Sequence, residues 1–353
     1  MGTKTAEQSR GPGTTDVREN LEVALSEVNI EQPDVVGESS LVVSWPRLSA
    51  AHSLDPILDT TRVLIGIPAY NEELNIGRTL DFLARKYPQY SIVVVSGSTD
   101  GTNRVTRELM RRHANIDLIV ERERCGKSSA LSILLRNLYG RYDALICLGA
   151  DNIPEDDAID KLLSKLSSDP RIGLVGGRPI PVNNPTKLAG WMTHLLWSVH
   201  HAVSIDAPKI SGELFALRAG VVSEIPPTII NDDAYLQFVV AFRGYELSYE
   251  PEAVVYLRGP EKVKEYYNQR HRVTIGHYQV EQLLGAKLPT TYARRNVLLA
   301  WRERRRVGFV KECCGFLFFL ALSAVIVAKA WFDFYIRRNL PYKWRQVRGT
   351  KKI

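Results

Sequence analysis

The sequence predicts an α/β protein with a mostly parallel, doubly wound sheet and helices on both faces. Three observations predict this fold class. Short apolar segments alternate with helical patterns from residue 62 onward, and the connections between them are short. Polar residues capable of chemistry stand directly after the apolar segments. In open α/β sheets, ligands bind at the carboxyl ends of the strands, so these positions predict a site.

The predicted elements follow the chain in order. We predict strands at 62–67, 91–95, 117–120, 143–148 and 172–176. The helical patterns between them lie at 72–86, 101–113, 127–138 and 156–167. Later segments predict an apolar helix at 186–203, a helix at 231–243, a hairpin-like stretch to Val255, and one or two amphipathic helices within 261–300.

Composition divides the chain into five regions. Residues 1–58 are polar and rich in Gly, Ser, Thr, Glu and Pro, which predicts a disordered or weakly ordered extension. The remaining four regions are a main domain at 59–260, amphipathic interface helices at 261–306, a transmembrane or re-entrant helix at 307–336, and a basic tail at 337–353.

The apolar run Cys313–Ala328 is 16 residues long. As a helix it would reach about 24 Å, which is short of the roughly 30 Å hydrocarbon core of a bilayer. Extension to Ile336 gives enough length but includes Lys329 and Asp333, which are spaced to pair along a helix. A single span is the first prediction, and a re-entrant or interfacial helix is the alternative.

Positive charge is concentrated on both flanks of this apolar run. The whole chain has a formal net charge of +7. Residues 294–311 and 337–353 together carry +13, so the rest of the chain carries −6. This distribution predicts contact with an anionic membrane surface. No nucleic-acid motif accompanies the charge, so we expect no nucleic-acid partner.

The cysteines and the N-terminus predict a cytoplasmic location for the main domain. The four cysteines have neither metal-ligand spacing nor the pattern of a disulfide framework, and they are Cys125, Cys147, Cys313 and Cys314. The N-terminus lacks an apolar stretch behind a basic start, so no signal peptide is expected.

Polar turns follow the first two predicted strands. The first strand ends in the sequence IPAYNEE (67–73), and the second ends in SGSTDGT (96–102). Backbone amides exposed between a strand and a helix suit a phosphate or nucleotide. The alternative is an ordinary capped turn with Ser98 or Thr99 at the helix start.

Acidic residues occupy two further positions where chemistry is plausible. Asp151 follows the fourth strand, where its carboxylate could help a divalent cation bind a diphosphate, or it could cap the next helix. Asp232 and Asp233 stand at a predicted helix start, where the helix dipole favours acids whatever their function. Their functional interpretation is a general base for an acceptor hydroxyl.

Basic residues supply two further candidate motifs. Gln269 and Arg272 lie in an aromatic and basic helical segment suited to binding a diphosphate, although a solvated basic face is the alternative. Gly126-Lys127-Ser128 resembles the end of a P-loop, but Glu121 occupies the position of the first glycine, which excludes a P-loop ATPase.

Taken in order, these segments resemble family-2 glycosyltransferases of the GT-A fold, in the branch of cellulose and hyaluronan synthases. The resemblance covers about residues 60–285. It is carried by IPAYNEE, VVSGSTDGT, ERCGKSSAL, GADNIP, NDDAYL, YEPEAVVY and QRHRV. It implies a GT-A mostly parallel sheet with C-terminal amphipathic helices and one membrane helix.

The resemblance also implies roles for individual residues. Asp151 matches the last acid of the DxD motif, which binds Mg²⁺ or Mn²⁺. Asp233 matches the catalytic base, with Asp232 beside it. The implied donor-binding residues are Pro68, Tyr70, Glu72, Ser96, Asp100, Lys127, Asp151, Gln269 and Arg272.

Three departures from the family pattern change these expectations. Val95-Ser96 replaces acids that contact the nucleotide, so the donor's base is not specified. Gly149 replaces the first acid of DxD, which leaves Asp151 to bind the cation with the diphosphate and water. Val273 replaces the Trp of QxxRW, a residue associated with long-polymer synthesis.

The implied function is inverting, metal-dependent transfer of a sugar from a nucleotide-sugar donor to a hydroxyl of a lipid-linked or glycan acceptor at the membrane. One alternative acceptor is a polyprenyl phosphate, which needs little help from a base because it is already ionised. Alternatives of other classes are an inactive membrane-bound nucleotide-sugar-binding protein and a nucleotidyltransferase. The sequence IPAYNEE lacks the Gly-rich basic loop that a nucleotidyltransferase requires.

Overall fold

The computed structural model describes residues 62–138, 140–284, 293–307 and 312–338. The predicted extension at 1–58 and the basic tail from residue 339 lie outside these ranges. The strands are β1 (Val63–Ala69), β2 (Ser91–Ser96), β3 (Ile116–Val120), β4 (Ala144–Leu148), β5 (Ile153–Pro154), β6 (Ile172–Pro181), β7 (Leu214–Arg218) and β8 (Glu246–Leu257).

Helices separate most of these strands along the chain. The helices are α1 (Ile76–Lys86), α2 (Thr102–Met110), α3 (Lys127–Leu138), α4 (Ala158–Ser167), α5 (Leu188–Asp206), α6 (Asp232–Phe242), α7 (Val263–Leu284), α8 (Ala293–Val307) and α9 (Glu312–Trp331). A π-helical turn, Phe332–Ile336, continues α9.

The eight strands form one sheet in the order β3-β2-β1-β4-β7-β6-β8-β5. The pairs β1–β2, β1–β4, β2–β3 and β6–β8 are parallel. This arrangement confirms the predicted α/β fold with a mostly parallel sheet. The alternation predicted between residues 62 and 176 is confirmed, with differences of a few residues at element ends.

Strand β7 reverses the direction of the sheet at its centre, and the sequence patterns did not predict it. It runs antiparallel to both β4 and β6. Leu148, at the end of β4, therefore lies beside Leu214, at the start of β7. The segment that precedes β7 thus reaches the same edge of the sheet as the segment that follows β4.

The predicted hairpin up to Val255 is wrong. Residues Glu246–Leu257 form the single strand β8, which pairs with β6 along most of its length. The register between the two strands shifts where Tyr249 faces Gly176 and Val254 faces Arg178. Residues 250–253 form an irregularity within this one strand, so the chain does not turn back.

The predicted helix at 72–86 begins four residues later, at Ile76. Asn71 has a positive φ of 55°, which turns the chain as it leaves β1. The amides of Asn75 and Ile76 both donate to the carbonyl of Glu72, at 3.0 and 2.9 Å. This turn is not part of the helix, and it holds Glu72 near the edge of the sheet.

Apolar side chains fill both faces of the sheet. One core contains Ile65, Ile67 and Leu80, which pack together with residues of α4. The other contains Leu131 and Leu134 of α3 with residues of α6. A fully buried aliphatic side chain contributes about 1.5–3 kcal/mol relative to an exposed one. Both faces are covered, as near-continuous apolar strands require.

A helical layer formed by α5, α7, α8 and α9 packs beside the sheet. Its core contains Trp191 of α5, Tyr266 of α7, Ala300 of α8 and Phe316 of α9. The predicted amphipathic segment at 261–300 is therefore two helices, α7 and α8. The two helices contribute to the same apolar core as α5 and α9.

Helix α9 and its π-helical turn form the one segment of the described chain long and apolar enough to cross a membrane, Cys313–Ile336. Its 24 residues have a mean hydropathy of 2.2. At 1.5 Å per residue this length is about 36 Å, enough to span the hydrocarbon core. One side packs inward through Phe316, Ile326 and Ala330, while many other apolar side chains remain exposed.

A buried arginine joins β7 to the end of α4. The guanidinium of Arg218 donates to the carbonyls of Ile172 at 2.8 Å, Leu166 at 2.7 Å and Asp169 at 3.0 Å. Two of these carbonyls belong to the end of α4 and the residues just after it, where a cation is favoured. The guanidinium thus satisfies three carbonyl acceptors in a mostly buried position.

We predict that Arg218→Met destabilises the full chain by about 2–3 kcal/mol, because buried carbonyls lose their donor. Thermal unfolding in detergent would measure the loss. Arg171→Met is the control, since Arg171 pairs with Asp169 and Glu246 on the surface and should contribute under about 1 kcal/mol. Equal losses in the two variants would contradict the assignment.

Candidate active site

A cavity of about 680 Å³ opens where β1 and β4 end, β7 begins, and α3 and α6 start. Helices α5 and α7 form its far wall, and it extends to α8 and α9. Of the predicted site residues, those that line it are Pro68, Tyr70, Glu72, Lys127, Asp151, Asp232, Asp233, Gln269 and Arg272. The sheet edge predicted from the sequence is therefore one wall of the cavity.

Tyr70 and Arg124 form a flat surface on one side of the cavity. The Arg124 guanidinium lies over the Tyr70 ring at 3.8 Å from its centroid. The preceding turn is fixed by Asn71, whose amide donates to Ser98 at 2.9 Å and whose side chain accepts from the Thr99 amide at 2.9 Å. The two polar turns seen in the sequence thus hold each other in place.

Ser96 and Asp100, also predicted as donor-binding, do not line this cavity. Ser96 is fully buried, and its hydroxyl donates to Ser98 at 2.9 Å. Asp100 accepts from the Thr102 amide at 3.0 Å and from the Glu73 amide at 3.3 Å. In this structure the two residues organise the turn rather than face the cavity.

Two carboxylates, Asp151 and Glu213, come together across the reversed strand. Asp151 follows β4, and Glu213 immediately precedes β7. Burial, followed by the charge of Glu213, raises the pKa of Asp151 to about 6. Asn152 connects the two segments by donating to the Glu213 carboxylate at 2.7 Å. The repulsion between the two acids is what a divalent cation would relieve.

Gly149 cannot readily carry the acid that its position has in the DxD motif. A Cβ at Gly149 would lie 2.5 Å from the side-chain nitrogen Nδ2 of Asn152. The Asn152 side chain is buried, and its Nδ2 donates a hydrogen bond to Glu213. Glu213, which immediately precedes β7, places a second carboxylate near Asp151. Sequence patterns did not reveal it, because Glu213 precedes a strand that the patterns did not predict.

These residues fit a hard divalent cation in their chemistry. Among the described residues, no three His, Cys, Asp or Glu side chains form a metal cluster. Asp151 and Glu213 supply two oxygen ligand groups, and Mg²⁺ commonly completes its shell with substrate phosphates and water. The pair thus suits a cation that arrives with a diphosphate.

Lys127, the first residue of α3, connects the segments before β7 and at the start of α6. Its ammonium donates to the carbonyl of Gly212 at 2.8 Å and lies 3.3 Å from Asp232. Desolvation alone would lower the pKa of Lys127, but Asp232, Glu213 and Asp233 outweigh it and raise the pKa. The side chain remains 39% exposed, so it can also meet a ligand.

The two acids at the start of α6 have different environments. Burial raises the pKa of Asp232, and Lys127 opposes the shift. Burial would also raise the pKa of Asp233, but the ammonium groups of Lys209 and Lys127 lower it below its usual value. Asp233 therefore stays ionised at neutral pH and faces the cavity, while Asp232 is the ion-pair partner of Lys127.

Helix α7 is fastened to the start of α6. The Asn231 side chain donates to the carbonyl of Val273 at 2.8 Å, and Arg272 donates to the carbonyl of Ile230 at 3.4 Å. Gly276 allows this approach, since a Cβ there would lie 2.5 Å from Asn231. Arg272 is half-buried and interacts electrostatically with Asp232 and with Asp233.

The same helix contacts the end of α9 on its other side. His271 lies 3.1 Å from Asp333, which also pairs with Lys329 and lies 3.6 Å from Arg337. The Lys329–Asp333 pair predicted from their spacing is present. Asp333 is almost fully buried, so the acid in the apolar segment faces protein.

Other polar residues that line the cavity were not predicted from the sequence, among them His200, Lys209, Arg270 and His277. His200 lies on a helix whose pattern indicated packing, and His277 lies beyond the Gln269–Arg272 segment on α7. Lys209 lies in the connection that leads to the unpredicted strand β7. Only Arg270 gave a usable signal, as a neighbour of the predicted Gln269.

The family model of Glycosyl transferase family 2 matches residues 64–200. This range contains Pro68, Tyr70, Glu72, Lys127 and Asp151, and it ends before α6 and α7. The match agrees with the resemblance drawn from the motifs.

Two curated relatives extend the similarity beyond this range. Poly-beta-1,6-N-acetyl-D-glucosamine synthase of Staphylococcus epidermidis (strain ATCC 35984) is 25% identical over 281 residues, covering 74% of this chain and 65% of that protein. The synthase of the same name from Staphylococcus aureus (strain COL) is 26% identical over 230 residues, covering 61% and 54%. The chain thus spans between half and two thirds of these relatives.

A solved structure shows the same fold. The mannosyltransferase PcManGT of Pyrobaculum calidifontis, determined with GDP-Man and Mn²⁺, superposes with a TM-score of 0.52 at 22% identity. The similarity covers 78% of this chain and 81% of that one. It supports the assignment of the GT-A fold.

We predict that Glu213→Gln weakens Mn²⁺ binding about 10- to 100-fold in the presence of a nucleoside diphosphate, because one of two carboxylates is lost. Isothermal titration with Mn²⁺ would measure it without any turnover. Asp156→Asn, which changes an exposed acid, is the control. Unchanged Mn²⁺ affinity in Glu213→Gln would contradict the pairing of Glu213 with Asp151.

We also predict that Gly149→Asp, which restores the acid of the motif, lowers the melting temperature instead of strengthening Mn²⁺ binding. The new side chain would displace Asn152 from Glu213. Thermal unfolding and Mn²⁺ titration of the same sample would test both parts. A stable variant with tighter Mn²⁺ binding would show that the space at Gly149 is not limiting.

Proposed function

Because the chain carries a glycosyl transferase family 2 domain, we propose that it transfers a sugar from a nucleotide-sugar donor to a hydroxyl acceptor, with inversion at the anomeric carbon. One observation carries the proposal. The Asp151–Glu213 pair and the ionised Asp233 line the same cavity, with Lys127 between the segments that hold them. A diphosphate site and a general base are thus available to one substrate pair.

The donor would lie along the edge formed by β1 and β4. Tyr70 and its partner Arg124 offer a surface for the nucleoside, beside Pro68 and Glu72. Lys127 and Arg272 would contact the diphosphate, since both are cationic and line the cavity near Asp232. A panel of nucleotide sugars would identify the nucleotide and the sugar of the donor.

Asp151 and Glu213 would hold Mg²⁺ or Mn²⁺. When bound, the cation would neutralise charge on the leaving diphosphate. Lys127 and Arg272 would stabilise that charge from the protein side. The presence of Mn²⁺ in the PcManGT structure is consistent with this assignment.

Asp233 would act as the base in the transfer. Its carboxylate would accept the proton of the acceptor hydroxyl while the acceptor oxygen bonds to the anomeric carbon. The bond from that carbon to the diphosphate breaks, and the nucleoside diphosphate leaves with the electron pair. The lowered pKa of Asp233 keeps it in the proton-accepting form. A single displacement of this kind inverts the anomeric centre.

The membrane would hold the enzyme through Cys313–Ile336. The exposed face of this segment includes Leu317, Val325, Trp331 and Ile336, which suits a lipid environment. Basic residues on both flanks favour contact with an anionic membrane surface, and the catalytic domain would lie in the cytoplasm. The acceptor would be lipid-linked or a glycan at that surface.

We predict that Asp233→Asn binds donor normally but loses about 10²–10⁴-fold in transfer rate, because a positioned base contributes this much. The full chain in detergent would be assayed with a panel of UDP-, GDP- and dTDP-sugars and Mn²⁺. Thermal unfolding would confirm the fold. Asp156→Asn serves as the control, and near-wild-type transfer by Asp233→Asn would remove Asp233 as the base.

A further inference from the structure

A group of cationic and imidazole side chains surrounds Asp233. Lys209 precedes β7, His200 belongs to α5, and Arg270 and His277 belong to α7. All four line the cavity, and Lys209, Arg270 and His277 each interact electrostatically with one another or with Asp233. We call Lys209, Arg270, His200, His277 and the adjacent Ser211 the cationic pocket.

Lys209 carries a charge whose burial in the cationic pocket costs free energy. It is only 5% exposed, and burial lowers its pKa. Within the described chain, the one hydrogen-bond acceptor for its ammonium is the Ile210 carbonyl, at 3.4 Å. Burying an ion costs several kcal/mol unless it is compensated. Asp233 is the carboxylate that acts on it, and Asp233 also faces Lys127 and His277.

Two further polar atoms of the cationic pocket lack a partner. The Nε2 atom of His200 and the hydroxyl of Ser211 make no hydrogen bond to any described residue. Both side chains are more than nine-tenths buried, and both line the cavity. Buried polar groups are nearly always hydrogen-bonded, so these atoms indicate the place of a polar ligand.

The pocket and the groups assigned to the donor share Asp233 but otherwise have different electrostatic partners. Asp151 interacts electrostatically with Glu213 and Lys127, whereas Lys209 interacts with Asp233 and Arg270. Under the proposed function, the donor diphosphate would be bound by Lys127, Arg272 and a cation at Asp151. Lys209 and Arg270 therefore provide positive charge on the acceptor side of Asp233.

The cavity continues from the cationic pocket into an apolar region. Trp197 lies at the junction, with its ring 5.2 Å from that of His200. Beyond it, the cavity reaches α8 and α9, where it is lined by Val297, Phe319, Leu320, Ile326 and Val327. Helix α9 is also the segment with an exposed apolar face. The polar site is thus continuous with the part of the protein suited to lipid.

We propose that the acceptor is a phospholipid-like amphiphile whose phosphate binds the cationic pocket, whose hydroxyl meets Asp233, and whose hydrocarbon chain follows the apolar region to α9. The inference rests on the proposed function and specifies its acceptor. The acceptor oxygen bonds to the anomeric carbon, its proton passes to Asp233, and the nucleoside diphosphate leaves with the electron pair. The acceptor phosphate takes no part in bond making.

A phosphate matches the donors of the pocket better than a neutral sugar does. Arg270 offers a planar fork of N–H donors and Lys209 a point charge, and phosphate accepts from both. Burial and Lys209 lower the pKa of His200 to about 3, and burial, Lys209 and Arg270 lower that of His277 to about 3, so both are neutral and can each donate one N–H. With a neutral acceptor, Asp233 would be the one carboxylate among the described residues acting on the Lys209 charge.

The first experiment compares acceptors that differ by one feature each. The full chain in detergent, with Mn²⁺ and the donor identified by the sugar panel, would be given phosphatidylglycerol, diacylglycerol or glycerol 3-phosphate. Diacylglycerol lacks the phosphate, and glycerol 3-phosphate lacks the hydrocarbon. We expect transfer to phosphatidylglycerol at least about 10-fold faster than to either of the others, from the loss of charge-assisted hydrogen bonds or of apolar burial.

Farnesyl phosphate is the fourth acceptor in the comparison, because it has a phosphate and a hydrocarbon but no hydroxyl. Preferential transfer to farnesyl phosphate would overturn the role given to the hydroxyl and would identify phosphate as the nucleophile. Equal transfer to phosphatidylglycerol and diacylglycerol would overturn the phosphate pocket. Equal transfer to glycerol 3-phosphate would overturn the apolar region as a lipid site.

The second experiment changes the pocket. Lys209→Met and, as an independent variant, Arg270→Gln should raise the KM for phosphatidylglycerol about 10- to 100-fold, since each removes a charged donor to phosphate. Affinity for the nucleoside diphosphate, measured by titration, should change less than about 2-fold. Lys187→Met, an exposed lysine at the start of α5, is the matched control and should behave as wild type.

The outcomes distinguish this inference from the proposed function. If wild-type protein neither hydrolyses any nucleotide sugar nor transfers from it, the proposed function fails. If transfer occurs but the KM for phosphatidylglycerol is unchanged in both folded variants, only the acceptor assignment fails. If the two variants also lose affinity for the nucleoside diphosphate, the pocket belongs to the donor, and the acceptor assignment is overturned.

Discussion

The site depends on the interaction of the Lys127 ammonium with the Gly212 carbonyl and the Asp232 carboxylate. It joins the start of α3, the segment before β7 and the start of α6, which are far apart in sequence. A Cβ at Gly212 would lie 2.4 Å from the Lys127 nitrogen, so a larger residue would require this ammonium to move. The ammonium thus bridges the segment before β7 and the start of α6.

The reversed strand β7 determines what else reaches this place. In a fully parallel sheet, only residues that follow strands would meet at the ligand-binding edge. Because β7 is antiparallel to β4, the residues that precede it arrive there too. They bring Lys209, Ser211 and Glu213, which respectively face Asp233, the cavity and Asp151. One change of strand direction thus supplies both a carboxylate for a cation and a positive charge on the opposite side.

The helical layer connects this site to the apolar segment. Helix α7 contacts the start of α6 through Asn231 and contacts the end of α9 through His271 and Asp333. A displacement of the end of α9 would therefore move His271, which is adjacent in sequence to Arg272. A π-helical turn occurs where Asp333 meets α7, and such turns are frequent at functional sites. Helix α7 thus links the end of α9 to the start of α6 by direct contacts.

The sequence by itself determined the alternating α/β fold, the helix α3 to the residue, and the sheet-edge positions of Tyr70, Asp151 and Asp233, because hydrophobic period and polar turns are local properties. It failed at the hairpin near Val255, since a polar irregularity within β8 resembles a turn. Only the tertiary structure decided that β7 is antiparallel, that Glu213 lies near Asp151, and that Lys209 and His200 interact electrostatically with Asp233. Strand direction and burial depend on contacts between distant segments, and a linear pattern does not contain them.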